Sequence, residues 1–362
     1  MIFMIFTFYY NYFIIIILLT LFFALILDLI IGDFKSKYHP VNIIGLTINW
    51  LKMKIKTGKP KLDKILGIIL LLLVILIFCV PILFLQIIIW EVWNLFAPKN
   101  VLMIDILMIF ILSILMGFLL KWSLAVKSLG DATLPIQKAL SNNNLNQARS
   151  HLSFIVRRDC ENLNRSYIIS ATVECIAESI TDAITSVIWF YLMGNLFGIL
   201  IYNFISNYHL WLFLGIPFAY VFRIINTADS IVGYKDQEHK NIGWFSARMD
   251  DISNFIPTRL TTLFMFLAGK IMKKNTNNAW NILKSDRTYT ESINAGWTMG
   301  TMAGLLNVQL EKIGNYKLGI PNRSLVPNDI KIAYRIFQIT VFFFIIIISF
   351  IISFFIFLLC LI

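Results

Sequence analysis

The sequence predicts an all-α polytopic membrane bundle, and three observations predict it. Of the 362 residues, 58% are hydrophobic and only 14% charged, where a soluble domain carries roughly 25% charged residues. Charge-free runs recur along the chain at lengths that match the about 20 residues a helix needs to cross a bilayer. The charge lies between those runs. All 31 Lys and Arg except Lys99 fall within 32–64, 121–182 or 223–337.

The elements run in this order. Residues 1–27 carry no charge and lead into Asp28. That run is too long for a signal-peptide core and lacks a basic start, so a retained span over 5–31 is expected. A second span is expected over 65–90, kinked at Pro81, and a third over 101–121. The uncharged stretch 183–222 is divided by the polar segment Asn203–His209, which gives spans over 183–203 and 208–224. A last span is expected over 337–361. The six helices leave three large polar loops, 32–64, 122–182 and 225–336, expected to be helical and to form one integral membrane domain with the spans.

An even number of spans separates these loops, so all three fall on one side. Their Lys and Arg make that side cytoplasmic, with both termini outside. The net charge of +11 is then a consequence of topology, reinforced by anionic lipid or anionic substrates. No nucleic-acid partner is expected. The predicted location is the cell membrane, multi-pass, with a cytoplasmic active face. The apolar patch Leu260–Ala268 is too short to span, so an interfacial or re-entrant helix is expected over 258–271.

Motif searches exclude several chemistries. The four cysteines (79, 160, 175, 360) form no CxxC pair, and the four histidines (39, 151, 209, 239) lack ligand spacing. GxxxxGK[ST] and GxGxxG are both absent.

The polar loops hold the chemistry. The densest stretch runs from Phe222 to Leu260, where Asn226, Thr227, Asp229, Tyr234, Lys235, Asp236, Trp244, Arg248, Asp250, Asp251, Asn254 and Arg259 crowd among Gly233 and Gly243. A site for a charged ligand at a membrane face has this composition, and a plain solvated loop does not need it. Glu174, Glu178 and Asp182 are spaced i, i+4, i+8. On a regular helix they share one face within about 12 Å, a column that costs a few tenths of a kcal/mol per like-charged pair. It either faces Mg²⁺, arginines or an ammonium group, or is an ordinary solvated acidic face. Arg149, Arg157, Arg158 and Asp159 suit phosphate recognition, or form a basic helix at the inner leaflet. Asp28-x4-Asp33 followed by His39-Pro40 is either functional or a helix end reaching water. Asn294-Ala295-Gly296-Trp297 and Ala303-Gly304 allow close approach to a ligand, or tight helix packing.

Seven blocks in order resemble one family. They are Leu27-Asp28…Gly32-Asp33…His39-Pro40-Val41; Ser128-Leu129-x-Asp131; Ala148-Arg149…Leu152-Ser153…Arg158-Asp159; Val173-Glu174-x-x-Ala177-Glu178-x-x-x-Asp182; Asn226-Thr227-x-Asp229…Gly233-Tyr234-Lys235; Gly243-Trp244-x-Ser246-Ala247-Arg248-x-Asp250-Asp251…Ile256-Pro257-x-Arg259; and Asn294-Ala295-Gly296…Ala303-Gly304. Together they resemble the CobD/CbiB family, the adenosylcobinamide-phosphate synthases of cobalamin biosynthesis. Phe34, Arg157, Ala183, Val187, Ala228 and Gln237 depart from the family pattern; of these only Gln237 replaces a charged residue.

The resemblance implies an ATP-dependent acid–amine ligase. It would join adenosylcobyric acid, a corrinoid substrate, to (R)-1-amino-2-propanol O-phosphate or free aminopropanol, giving adenosylcobinamide phosphate. Such chemistry needs Mg²⁺ on carboxylates, cations on phosphate oxygens and a base for the ammonium proton. The expected catalytic set is Glu174, Glu178, Asp182, Asp229, Asp250 and Asp251, with Glu178, Asp182 and Asp250 on Mg²⁺. Arg158, Asp159, Asn226, Lys235, Arg248, Arg259 and Asn294 are expected on substrate and phosphate, and Tyr234 and Trp244 against the corrin or adenine. ATP, the bilayer and other membrane enzymes of the pathway are the expected partners. The alternative is an AmpE-like membrane sensor or a transporter without ligase activity; a transporter would carry ionisable groups near the middle of its spans.

Overall fold

The structure is a computed structural model and describes residues 2–33, 39–96, 102–204, 214–234 and 236–361. It is helical throughout apart from one short hairpin, and the chain divides into two compact units. Among the described residues, five helices are long and apolar enough to cross a membrane: Phe13–Ile31, Pro60–Trp93, Ile104–Lys121, Arg165–Tyr202 and Asn328–Leu359.

The first unit comprises Met1–Ala125, Val187–Ile252 and Ile347–Ile362. Its helices are α1 (Ile2–Ile31), α2 (Pro40–Ile55), α3 (Pro60–Phe96), α4 (Leu102–Lys121), α8 (Ser186–Phe204), α9 (Gly215–Val232) and α10 (Trp244–Ser253). Helix α2 begins because Pro40 sits where a missing N–H costs nothing and the His39 ring accepts from the Val41 N–H. It ends on Lys52 and Lys54, cations at the negative end of the helix dipole. Helix α3 continues through Pro81.

The tightest pairing is α1 against α4. Gly117 and Ser113, one turn apart on α4, are the small residues that allow it. A Cβ at Gly117 would come 2.9 Å from the Phe23 Cβ and 3.0 Å from the Ala24 nitrogen. Close backbone approach through small residues replaces the hydrophobic driving force that lipid removes. The predicted span over 208–224 has its first residues outside the described ones. Its described part belongs to α9, which starts at Gly215, runs on to Val232 and carries Arg223 in its interior.

The second unit comprises Val126–Ser186 and Ser253–Ile346. It contains α5 (Val126–Ser141), α6 (Leu145–Ser153), α7 (Arg165–Ser179), a π-helical turn (Ile180–Thr185), α11 (Phe255–Ile271), α12 (Thr276–Asp286), α13 (Ala295–Leu306) and the start of α14 (Asn328–Leu361). At its centre is α13, buried at ten of its twelve positions. A helix that is apolar all round belongs in a core. Gly304 is where α12 crosses it, since a Cβ there would overlap the Ala279 backbone. The small residues of 295–304 thus serve helix packing, one of the two readings open from the sequence.

Three boundaries differ from the sequence expectation. Helix begins at Arg165, not 183, and passes through the π turn into α8, so the segment 165–182 is part of a long helix and not a connecting loop. Helix α14 begins at Asn328, nine residues before 337. Asp329 starts it by accepting from the Val326 N–H at 2.9 Å and from both terminal nitrogens of Arg323 at 2.9 and 2.6 Å, while Lys331 and Arg335 point outward. The hairpin β1 (Leu310–Lys312) to β2 (Tyr316–Leu318) was not expected. It is antiparallel, with Leu310 opposite Leu318, and turns through Gly314 at φ +74°. The expected helix over 258–271 is α11. It buries Pro257, Thr258, Thr261, Thr262, Phe264 and Met265, and exposes Ile256, Leu263 and Ile271.

Gly117→Leu tests the α1–α4 contact. Overpacking at a close backbone approach costs about 1–3 kcal/mol, so the detergent-purified variant should melt several degrees below the parent. Equal melting temperatures would show that the contact carries no stability.

Candidate functional site

In the first unit the predicted residues gather where α9 ends and α10 begins. The two ends touch because Gly243 lies against the Val232 carbonyl, with no room for a Cβ. That contact sets α10 beside the last turns of α9. Asn226 and Asp229 are three residues apart on α9, hence on one face, and both are half-buried. The Asn226 amide donates to Asp250 Oδ1 at 3.2 Å. Gly233 has no side chain because the Asp229 carboxylate fills that space. Asn226 and Asp250 therefore meet at a partly open surface, with Asp229 one turn further along α9.

Around them, Trp244 is exposed, with the Lys64 ammonium 5.6 Å from its ring centroid. Tyr234 is exposed and donates to the Ser230 carbonyl. Arg248 is exposed and forms no ion pair among the described residues. Asp251 is half-buried on α10. Lys235 lies outside the described residues. The connection from α9 to α10 is pinned by Lys52, which donates to Glu238 at 3.3 Å and sits 3.1 Å from the His239 ring. Asp236 and Glu238 are held below the ordinary carboxylate range, the first by its hydrogen bond to His239, the second by its bond to Lys52.

In the second unit the acidic column does not present one uniform face. Glu174 is 2% exposed, Asp182 is half-buried and Glu178 is exposed. A π turn carries an extra residue, so the i+4 spacing that would align Asp182 with the other two is broken at Ile180. Glu174 is spoken for. Arg158 donates to it at 2.8 Å, Ser170 at 2.7 Å and Tyr316 at 3.0 Å. The Tyr316 phenol is pushed far above its usual value by burial, with the Glu174 charge adding to it, and so remains a donor. Asp159 accepts from the Glu161 N–H and turns the chain at the exposed end of this network. Glu178 and Asp182 carry the column's remaining exposed charge.

Arg259 and Asn294 also meet in the second unit. Arg259 donates to Asn294 Oδ1 at 2.5 Å and to the Phe255 carbonyl at 2.8 Å. Its guanidinium lies 3.7 Å from the Phe255 ring centroid and 4.6 Å from that of Trp297. Arg287 approaches Trp297 as well, at 5.2 Å.

No group of three His, Cys, Asp or Glu among the described residues is placed to hold a metal by itself. Mg²⁺ fits a sparser set, because it is commonly held by one or two carboxylates with substrate phosphates and water completing the octahedron. Asp250, paired with the Asn226 amide at a partly open position, is one carboxylate that would serve in such a set.

Sequence reasoning passed over Lys121, Tyr316, Arg287 and Trp297 as site residues. Lys121 is fully buried, donates to the Gly32 carbonyl, lies 3.8 Å from the Trp122 ring centroid and is 3.8 Å from Asp33, which in turn is 3.2 Å from His39. Its signal was present, as the first cation after an apolar run. Trp297 stood in the sequence only as the last residue of the Asn294–Trp297 block, and Tyr316 and Arg287 stand in no pattern that composition or spacing marks.

Known proteins share this chain's pattern over most of its length. The family described as CobD/Cbib protein matches residues 21–337. The probable cobalamin biosynthesis protein CobD of Methanothermobacter thermautotrophicus is 32% identical over 88% of this chain and 92% of its own length. The cobalamin biosynthesis protein CobD of Dehalococcoides mccartyi is 32% identical over 87% and 91%, and that of Clostridium perfringens 32% over 81% and 82%. No solved structure matches. With the match extending from α1 into α14, the chain belongs to the CobD/CbiB family.

Proposed function

We propose that the chain is a cobalamin-biosynthesis enzyme of the membrane. In this reading it is the ATP-dependent ligase that joins adenosylcobyric acid to (R)-1-amino-2-propanol O-phosphate. The observation that carries this reading is the half-buried junction of α9 and α10, where Asn226 donates to Asp250 and Asp229 stands one turn along α9, within the region shared with the family.

A carboxylate and an amine do not condense in water, so the corrin's carboxylate must first be activated. Its oxygen attacks the γ-phosphorus of ATP, the bond to the β-phosphate oxygen breaks and ADP leaves. The amine then attacks the acyl carbon, inorganic phosphate departs and the nitrogen loses a proton. Asp229 and Asp250 would hold Mg²⁺ on the nucleotide, which supplies neutralisation of the phosphate charge. Glu178, the exposed member of the acidic column, suits the acceptance of the ammonium proton, with the half-buried Asp182 beyond it. Arg248 and Arg259 suit phosphate oxygens, because a planar guanidinium matches them two bonds at a time. Glu174 and Arg158 satisfy each other and act as scaffold in this reading. Tyr234 and Trp244 offer exposed rings to a corrin or an adenine.

A transporter places ionisable groups at mid-membrane. Asp28 and Lys121 lie in the last turns of α1 and α4 and Arg223 is committed to the Ser123 carbonyl, but Glu174, Glu178 and Asp182 fall within the long helix Arg165–Tyr202, so turnover and not charge placement separates the two readings. The cytoplasmic face is supported by the Lys and Arg of the three polar regions.

Three outcomes are expected. Detergent-purified protein given adenosylcobyric acid, aminopropanol phosphate and Mg-ATP should yield ADP and a corrinoid one amide heavier, with product requiring all three. Folded protein that binds the substrates without turnover would point to a sensor. Glu178→Ala and Asp250→Ala should each lower kcat at least 10-fold while melting like the parent. Glu174→Ala should instead lose about 3–5 kcal/mol of stability, since it strands Arg158 and Tyr316; full turnover by both E178A and D250A would sink the assigned roles. A cysteine placed at Phe154, which is 82% exposed, should react with a membrane-impermeant maleimide only in inverted vesicles. Labelling of intact cells would reverse the topology.

A further inference from the structure

The join between α12 and α13 holds two arginines on one tryptophan. Arg287 is the residue that ends α12; its N–H returns to the Leu283 carbonyl. Its own carbonyl lies against Gly296, where no Cβ would fit. The backbone of Arg287 is thus fixed against the first turn of α13, one residue from Trp297. Its guanidinium stands 5.2 Å from the Trp297 ring centroid, and Arg259 reaches the same ring at 4.6 Å from α11.

Two like charges lie over one ring here, and the acid nearest in sequence is turned away. Asp286 is buried and committed to the Ser285 hydroxyl at 2.5 Å and the Gly319 N–H at 2.6 Å. Among the described residues neither Arg259 nor Arg287 has a carboxylate oxygen within 4.0 Å. Arg259 spends one terminal nitrogen on Asn294 and the Phe255 carbonyl, which fixes its plane and leaves its other N–H groups to donate. Burial, and after it the Arg287 charge, lowers the Arg259 pKa, the direction expected when the compensating anion is missing.

We propose that Arg259 and Arg287 form a binding site for a phosphate monoester dianion, with Arg287 as a ligand-binding residue beside Trp297. A dianion relieves the repulsion between the two cations, and two forks offer it a bidentate grip that a single arginine does not. The Trp297 face is covered by cations, so it offers no stacking surface for a nucleobase. This favours a small monoester over a nucleotide. On the reading given under Proposed function, on which this identification rests, the monoester is the phosphate of the amino alcohol substrate.

Calorimetry on the full chain in neutral detergent tests it, with aminopropanol phosphate, inorganic phosphate and ATP as separate probes. Aminopropanol phosphate should bind the parent, and R287A should weaken that binding at least 10-fold with ATP affinity within 2-fold of the parent. R287K should fall between the two, since it restores the charge without the fork. The melting temperature of R287A should match the parent, because the side chain is exposed and makes no ion pair. In turnover, R287A should raise KM for aminopropanol phosphate and leave KM for ATP.

Parent-like binding of the monoester by R287A overturns the proposal, as does an equal loss for ATP and the monoester. Arg287-dependent binding to phosphatidic-acid vesicles, with no binding of the free monoester, overturns the substrate assignment in favour of a lipid headgroup. The two readings also fail separately. Arg287-dependent phosphate binding without turnover keeps the anion site and removes the ligase. Turnover unaffected by R287A keeps the ligase and removes the anion site.

Discussion

Glu174 sets a constraint that much of the second unit obeys. Its carboxylate is buried, and a buried charge is tolerated only where it is paired and hydrogen-bonded. Arg158, Ser170 and Tyr316 do this from three separate parts of the chain. Ser170 is used on both sides, donating to Glu174 and accepting from the Glu311 N–H at 2.7 Å. The segment after α6, the middle of α7 and the β1–β2 hairpin are therefore tied to one charge. Losing one partner leaves the rest uncompensated at a cost of about 3–5 kcal/mol. The acidic block thus divides: its most buried member secures the fold, and Glu178 lies nearer solvent.

The same rule places the buried cations of the first unit. Lys121 ends α4 and donates to the carbonyl of Gly32, the residue just past α1. Arg223 donates to the Ser123 carbonyl, just past α4. Carbonyls at helix C-termini carry the negative end of the helix dipole and lack helical partners. A cation there satisfies orphan acceptors and is itself solvated by them. Gly32 adopts φ +66° to turn its carbonyl where Lys121 can reach it. In so apolar a chain, helix ends are the inexpensive places to bury positive charge, and these two are used that way.

How much of the molecule was legible in the sequence depends on whether a feature is local. The long helices around 5–31, 65–90, 101–121 and 337–361 were legible because absence of charge over about twenty residues has few explanations. The start of the long helix at Arg165 was not, because Arg165–Asp182 carries many polar residues yet is buried all round from Ile168 to Ala177, and burial in protein leaves no hydropathy signal. The alignment of Glu174, Glu178 and Asp182 was read from a regular period, and the π turn at Ile180 breaks it. Such turns arise from tertiary fit and often mark functional positions. The Asn226–Asp250 pair was legible as residue types in one stretch, though its pairing depends on Gly243 against Val232, a contact between residues well separated along the chain. Arg287 was illegible because its place depends on Gly296 accepting a backbone, a fact about packing and not about spacing.

Charge is paired in some clusters and not in others. Arg259 and Arg287 share a ring, and among the described residues neither has a carboxylate oxygen within 4.0 Å. That arrangement costs stability in the absence of a ligand, and a sequence selected for stability alone would mix the signs. Glu174 with Arg158, and Asp329 with Arg323, show that this chain pairs opposite charges readily where structure is the purpose. The arginine pair is therefore best explained by an anion that comes from outside the molecule, and the ligation proposed above brings one in its phosphorylated amine.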